Sequence, residues 1–511
     1  MTEDVTYTAT FQSDWAALAA QFETASTDGD HPTVITLSKD YFAAPEDTAL
    51  LIRADRYVTL DLNGHILNRN LSEATNNGYV IMVNGTLTII DSAPSATHSG
   101  TEITGGMITG GNCSGSAGGV YVRGGTLVMN GGSIAGNSAK YNGGVCVARD
   151  ARFTLTNGKI IDNTATKDNG GGVGLYDGCV FTMSGGAILD NVSADYAGGV
   201  YVKKGTFNMS DGAICGNKSN GTAGGGVVVD DGTFDMSGGS IAGNTAVHGG
   251  GVFMTGGRFN MTGGSIAGNT AVYGGGVYRG DGTFNISGSP VITGNTKSSD
   301  GTANNVFLGE GKLIIVTGPL TGAACIGVST PNAPATDNPI VLTSGLSGNG
   351  SEANFISDRV SCGVYLNGDG EAALGAAYTV YLDSGITHGA VASDKASAVE
   401  GQTVTLTVTP EEGYMLDSLT VTDGNGNEVT VTNGSFTMPA CDVTVTAAFT
   451  AAPVVNKYDV DRNGTVNITD VTTLLNGLST AVDYNALFDL NDDGVSNITD
   501  VTVLLDVLSR N

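Results

Sequence analysis

A short phrase returns through the middle of this 511-residue chain, and it constrains the fold more than anything else in it. It reads GGVYVRGGTLVMNGGSIAGN from Gly118, GGVVVDDGTFDMSGGSIAGN from Gly225, GGVFMTGGRFNMTGGSIAGN from Gly250 and GGVYRGDGTFNISGSPVITGN from Gly275. The valine after the paired glycines falls at Val120, Val145, Val173, Val200, Val227, Val252 and Val277, so the steps are 25, 28, 27, 27, 25 and 25 residues. A fixed period in the twenties marks a solenoid and outranks any local reading of helix or strand.

The residues inside one period say which solenoid. Three short β-type runs recur, each bounded by glycine or asparagine: Val-Tyr-Val at 120–122, Thr-Leu-Val-Met at 126–129 and Ser-Ile-Ala at 133–135. Each alternates with period two, so one set of side chains points inward. Stacking the periods gives four apolar columns. The valines form one. The second is Leu127, Phe153, Phe181, Phe207, Phe234, Phe259 and Phe284, and the third Met129, Leu155, Met183, Met209, Met236, Met261 and Ile286. The fourth is Ile134, Ile160, Ile188, Ile214, Ile241, Ile266 and Ile292. Three residues after each of these comes an asparagine: Asn137, Asn163, Asn191, Asn217, Asn244, Asn269 and Asn295. Asparagine suits a left-handed turn, and stacked amides can hydrogen-bond along the axis. No segment here carries a 3.6-residue period, which excludes leucine-rich and helical repeats. The pattern predicts a right-handed parallel β-helix with three strands per coil and regular repeats over 118–295. The phrase IAGNTAVHGGGV resembles the paired motifs of the polymorphic-membrane-protein and adhesin-like β-helix families. That resemblance implies a fold and leaves activity open.

Net charge excludes some partners. At −28 the chain is a poor ligand for nucleic acid or anionic lipid. It suits an extracellular, calcium-rich setting. The seven cysteines contain no CxxC pair, so they write neither a metal cluster nor a disulfide framework. No apolar run is long enough to span a bilayer. The start, MTEDVTYTAT, is not a signal peptide, so either the mature form of a secreted protein is shown or the protein is cytosolic, and the C-terminal segment described below favours the first.

Ahead of the repeats, Ser13-Asp14 followed by WAALAAQFETA predicts an N-capped helix with Trp15, Leu18 and Phe22 on one face. An open first coil needs such a cover. Irregular coils follow at 33, 57, 79 and 105. After Asn295 the glycine pairs stop, and wider closing coils extend to about Ala376. From Tyr378 to Phe449 alternating strands such as QTVTLTVTP and DVTVTAAF predict a small all-β module. Its runs EEGYMLDSLTV and GSFTMPACDVTVTAAF resemble bacterial surface repeats related to internalin B-type repeats, which implies a spacer.

Two segments near the end are copies: DVDRNGTVNITDVTTLLNGL at 459–478 and DLNDDGVSNITDVTVLLDVL at 489–508. Each fits a twelve-residue calcium loop. The first would bind through Asp459, Asp461, Asn463, the Thr465 carbonyl, Asn467 and Asp470. The second would use Asp489, Asn491, Asp493, the Val495 carbonyl, Asn497 and Asp500. Gly464 and Gly494 make the sharp turns. Two calcium ions are expected. Only an exiting helix follows each loop, and aspartate rather than glutamate stands twelfth. A duplicated loop–helix of this kind resembles a type I-like dockerin over 456–511. The resemblance implies docking on a cohesin module of a scaffoldin, as in cellulosomes, with Ile468, Thr469, Ile498 and Thr499 at the partner-choosing positions.

Whether the β-helix is catalytic stays open in the sequence. Hydrolysis of a glycosidic bond needs two carboxylates. Asp162 and Asp190, one coil apart just before ladder asparagines, are the candidates, though they read better as solvated turn acids, since no Arg, His or third acid shares their column. The outward residues Tyr121, Tyr201, Phe253 and Tyr278 are candidates for stacking the sugar rings of a plant or host polysaccharide, and strand propensity alone also accounts for them. The domains expected are a mainly β solenoid with its cap at 1–376, a β module at 377–450, a linker at 451–455 and an all-α calcium-binding dockerin at 456–511. The function expected is a secreted, scaffoldin-anchored glycan or surface binder. The alternatives are a polysaccharide lyase or hydrolase delivered the same way, and a plain spacer.

Overall fold

The computed structural model describes residues 13–335, 338–452, 456–480 and 485–510. The opening MTEDVTYTAT and Pro453–Val455 of the expected linker lie outside the described residues. Two compact units divide the chain, 1–378 and 379–511.

The first unit is a parallel β-solenoid of about 12 turns. Its register matches the columns read from the sequence. Val120 pairs with Val145, Val145 with Val173, and so on to Val277. Phe153, Phe181, Phe207, Phe234, Phe259 and Phe284 pair coil on coil. Because identical side chains repeat at the inter-strand spacing, their rings stack face to face, with centroids 4.6–5.0 Å apart and planes within 4–9°. All four columns are buried and belong to one continuous core.

Glycine does a specific job at the paired positions. A Cβ at Gly226 would lie 2.6 Å from the Gly251 carbonyl oxygen and 3.0 Å from Ile241. The coils could not approach so closely with any side chain there.

The coil differs from the expected three strands in two ways. In four coils the second and third runs fuse into one ten-residue strand: Thr126–Ala135, Arg152–Ile161, Val180–Leu189 and Thr206–Cys215. A further stack also forms after the asparagine, where Asn112–Ser116, Ser138–Tyr141, Thr164–Asp168, Val192–Ser193 and Lys218–Ser219 build a five-stranded parallel sheet of their own. Its small residues Ala139, Ala165, Ser193 and Ser219 are buried.

Ahead of the first coils, α1 (Asp14–Glu23) starts where the Ser13 side chain accepts from the Ala16 N–H, at 3.0 Å. Trp15, Leu18 and Phe22 join the solenoid core, and the Trp15 indole donates to the Thr48 carbonyl at 2.8 Å. At the other end, parallel pairing continues through Val306–Leu308, Cys325–Ser329 and Phe355–Ser357. It then gives way to antiparallel strands, with Cys362–Leu366 against Ala372–Ala376.

The second unit opens with an all-β module. Val443–Ala451 pairs antiparallel with Tyr414–Asp423, and Thr403–Pro410 pairs with Gly389–Ser393 and Ser435–Thr437. Val404, Val421, Phe436, Val443 and Val445 are among its buried residues. The tail of this unit holds α2 (Ile468–Thr480) and α3 (Ile498–Arg510), which pack through Val471, Leu474, Leu490, Val501 and Leu504. Among the described residues no helix is long and apolar enough to cross a membrane.

Candidate functional site

The two loops of the tail are built alike. Each winds through a left-handed residue and then a left-handed glycine: Arg462 and Gly464 (φ +56° and +87°), Asp492 and Gly494 (φ +57° and +80°). The glycines make that turn at no steric cost. Side-chain oxygens point into the loop and gather backbone N–H groups. Asp459 accepts from Asn463 and Gly464 at 3.1 and 2.8 Å, and Asp489 accepts from Asp493 and Gly494 at the same two distances.

The ninth and twelfth positions form a device that ligand counting alone misses. Asn467 Oδ1 accepts from the Thr469 N–H at 2.7 Å, while Asp470 Oδ2 accepts from the Asn467 N–H at 2.8 Å. The Asn467 side chain thus caps the second residue of α2 while the Asp470 side chain reaches back to the Asn467 N–H, and Asn497 with Asp500 repeats the arrangement on α3. Asp470 Oδ1 also accepts from the Asp461 N–H at 3.0 Å. Burial works against the Asp470 carboxylate, but backbone N–H groups of Asp461, Asn467 and Val460 outweigh it and hold its pKa below the ordinary value. Asp470 and Asp500 are both fully buried.

Asp459, Asp461 and Asp470 bring carboxylate oxygens within 4.8 Å of one another, the one such group of three among the described residues. Three like charges so close favour a cation, and an all-oxygen set that includes Asn463 and the Thr465 carbonyl fits a hard one. In the second loop Asn491 replaces the second acid and Asp493 supplies one at the fifth position.

The expected partner positions divide. Ile468 and Ile498 are 66% and 64% exposed. Thr469 is exposed too, but its hydroxyl is engaged by the loop, 2.8 Å from both Asp461 Oδ2 and Asn467 Oδ1. Thr499 Oγ1 accepts from the Asn491 amide at 3.2 Å. Sequence reasoning missed Leu475 and Leu505, exposed by 43% and 44% seven residues after each isoleucine and so on the same helix face. Their only signal was the second leucine of each Leu-Leu pair.

On the solenoid the outward aromatic residues are not the open platform expected. Tyr201 is 3% exposed, its hydroxyl donates to Asp230 at 2.6 Å, and Tyr176 and Tyr196 pack against its ring. Tyr121 is half-buried edge-on to Tyr79, and Phe253 and Tyr278 are half-buried beside His248. The turns ahead of the glycine pairs and part of the extra strand stack cover this face. Ala197, Tyr201, Ala223 and Val228 form a second small core there, and Ala139 and Cys146 sit in another. Burial pushes the Cys146 thiol well up from its usual range.

Asp162 and Asp190 are exposed and left-handed, φ +56° and +51°, at a turn where other coils have Gly136, Gly216, Gly243, Gly268 and Gly294. Asp162 sits above the ordinary carboxylate range, through partial burial first and the charge of Asp190 second. A Cβ at Gly216 would fall 2.1 Å from Asp190 Oδ1, so the Asp190 side chain lies over the next coil's turn.

Comparison with known proteins finds no match among curated proteins and none among solved structures. No dockerin is detected in the tail. Within the second unit, whose β module carries the alternating strands described above, residues 378–453 match the family model of the divergent InlB B-repeat domain.

Proposed function

We propose that the chain is a secreted, non-catalytic component of a cellulosome-type assembly. In this reading residues 456–511 are a type I-like dockerin, and Asp459, Asp461, Asn463, Asp470 and their counterparts hold two calcium ions. Calcium, when bound, neutralises the loop acids and fixes the starts of α2 and α3. The paired faces Ile468/Leu475 and Ile498/Leu505 meet a cohesin module of a scaffoldin. The β module spaces the tail from its cargo. The cargo is the solenoid, a glycan- or surface-binding module, right-handed as parallel crossovers almost always are and covered at its first coil by α1.

The observation that carries this reading is the duplicated loop–helix with its three converging carboxylates. Calorimetric titration of the full chain with calcium should report two sites, and Asp459→Ala should leave one. Capture by a cohesin-bearing scaffoldin fragment should be lost in chelator. A chain that takes up no calcium, or docks undiminished in full chelation, refutes the assignment.

A polysaccharide lyase or hydrolase on the same solenoid is favoured by one observation, the raised pKa of Asp162 beside Asp190. Product release from a polysaccharide that disappears in Asp162→Asn decides for the enzyme.

A further inference from the structure

The repeat departs from its own pattern at the last regular coil. Between ladder asparagine and glycine pair the two preceding coils run through TAVHG (245–249) and TAVYG (270–274). After Asn295 the chain runs through TKSSDGTA (296–303), and Asn304-Asn305 stand where the glycine pair belongs. The register survives the change. The Gly276 N–H donates to the Asn304 and Asn305 carbonyls as the Gly251 N–H donates to those of Gly275 and Gly276. The added residues therefore stand outside the stack, turning at Gly301 (φ +72°).

They form one wall of a cleft of about 410 Å³, with Ser329–Pro331 and Asp358-Arg359 on the other side and Tyr273 and Phe307 between. Tyr273 is the outer aromatic that the covering strands leave open, 44% exposed against 3% for Tyr201. His248 of the preceding coil stacks on its ring at 5.5 Å and 15°, while the cleft lies toward the following coil. Phe307 makes a T-shaped pair with it, centroids 5.5 Å apart and planes at 61°.

The charges of the cleft are unequally committed. Both oxygens of Asp358 accept from Asn305, each at 2.6 Å. Both oxygens of Asp300 accept within its own turn, from Thr302 and Ser299. Arg359 fixes its wall by donating to the Thr330 and Pro331 carbonyls. Lys297 has only a 4.0 Å approach to Asp300 and keeps its ammonium donors available.

We propose that this cleft binds an acidic sugar residue of a glycan, its ring against Tyr273 and its carboxylate at Lys297. An aromatic face receives the C–H side of a pyranose, and an ammonium ion with no close ion pair of its own receives a carboxylate. The proposal rests on the reading of the solenoid as a glycan binder and supplies its site and ligand class. Calorimetry on the full chain with trigalacturonate, glucuronoxylan fragments and sialyllactose tests it, with galactotriose as the neutral control. At least one acidic probe should bind better than galactotriose. Tyr273→Ala and Lys297→Gln should each weaken it by about tenfold or more, Tyr273→Phe should retain it, and melting temperatures should be unchanged. Binding by the wild type that ignores both substitutions overturns the cleft and leaves the parent reading standing. Equal binding of galactotriose, indifferent to Lys297→Gln, overturns the carboxylate. No binding of any probe overturns the cleft, and the parent reading falls with it only if retention on insoluble polysaccharides and on cell surfaces is absent as well.

Discussion

Asn217 shows what one side chain does in this stack. Its Nδ2 lies 2.9–3.1 Å from the Ile188 and Cys215 carbonyls and from Asn244 Oδ1, and its own Oδ1 accepts from the N–H and the Nδ2 of Asn191. It is fully buried, so truncation leaves several polar groups with neither partner nor water. Asn217→Ala should destabilise the solenoid by about 2–3 kcal/mol, read as a lower midpoint in urea. Arg279 is the opposite case. It occupies an inward position between Met254 and Leu308, is buried, and donates to Gly282 from Nη2 while Nε and Nη1 have no partner. Burial lowers its pKa. Arg279→Met copies the residue one coil earlier and should raise stability by about 1–2 kcal/mol, and a fall in the thermal midpoint would contradict this.

At the scale of the element, the asparagine ladder is one structure with two different ends. Its amides run head to tail from Asn137 to Asn295, pass to Asn305 and stop on the Asp358 carboxylate. Burial holds the Asp358 pKa above its ordinary value, against the hydrogen bonds from Asn305. The folded state then keeps a proton that the unfolded chain releases, so stability falls as pH rises from the ordinary aspartate value through the folded one. Asp358→Asn should remove that part of the slope, measured as the difference between the two stability–pH curves. The ladder and the four columns were legible because each strand alternates with period two and the next coil repeats it in register. The covering stack was not. Its strands, such as SAKY, TATKD, VS and KS, are two to five residues long, too short to announce themselves. Tyr201 lies outside the coil yet out of water, because Ala197 and Ala223, in the turns ahead of two glycine pairs, pack with it, and those recurring alanines are the sign the sequence offers. The loops of the tail were legible from ligand spacing. Which leucine of each Leu-Leu pair faces outward was not, because both continue an apolar helix pattern.

Over the whole molecule, the first unit holds together without covalent braces: the cysteines of the described residues are free thiols. Each coil is supported by the coils on either side, so cohesion grows with their number. The coils that begin at Val227 and Val252 are each 25 residues long and nearly interchangeable. Removing Gly250–Gly274 would join AVHG to GGVYRG and restore the phrase at the seam. The shortened chain should fold and lose about 4.8 Å of length, which small-angle scattering can read, whereas excising half a coil should abolish folding. The glycine pairs are thus splice marks as well as close contacts, and they make reach a quantity that heredity can adjust in whole notches without redrawing either end.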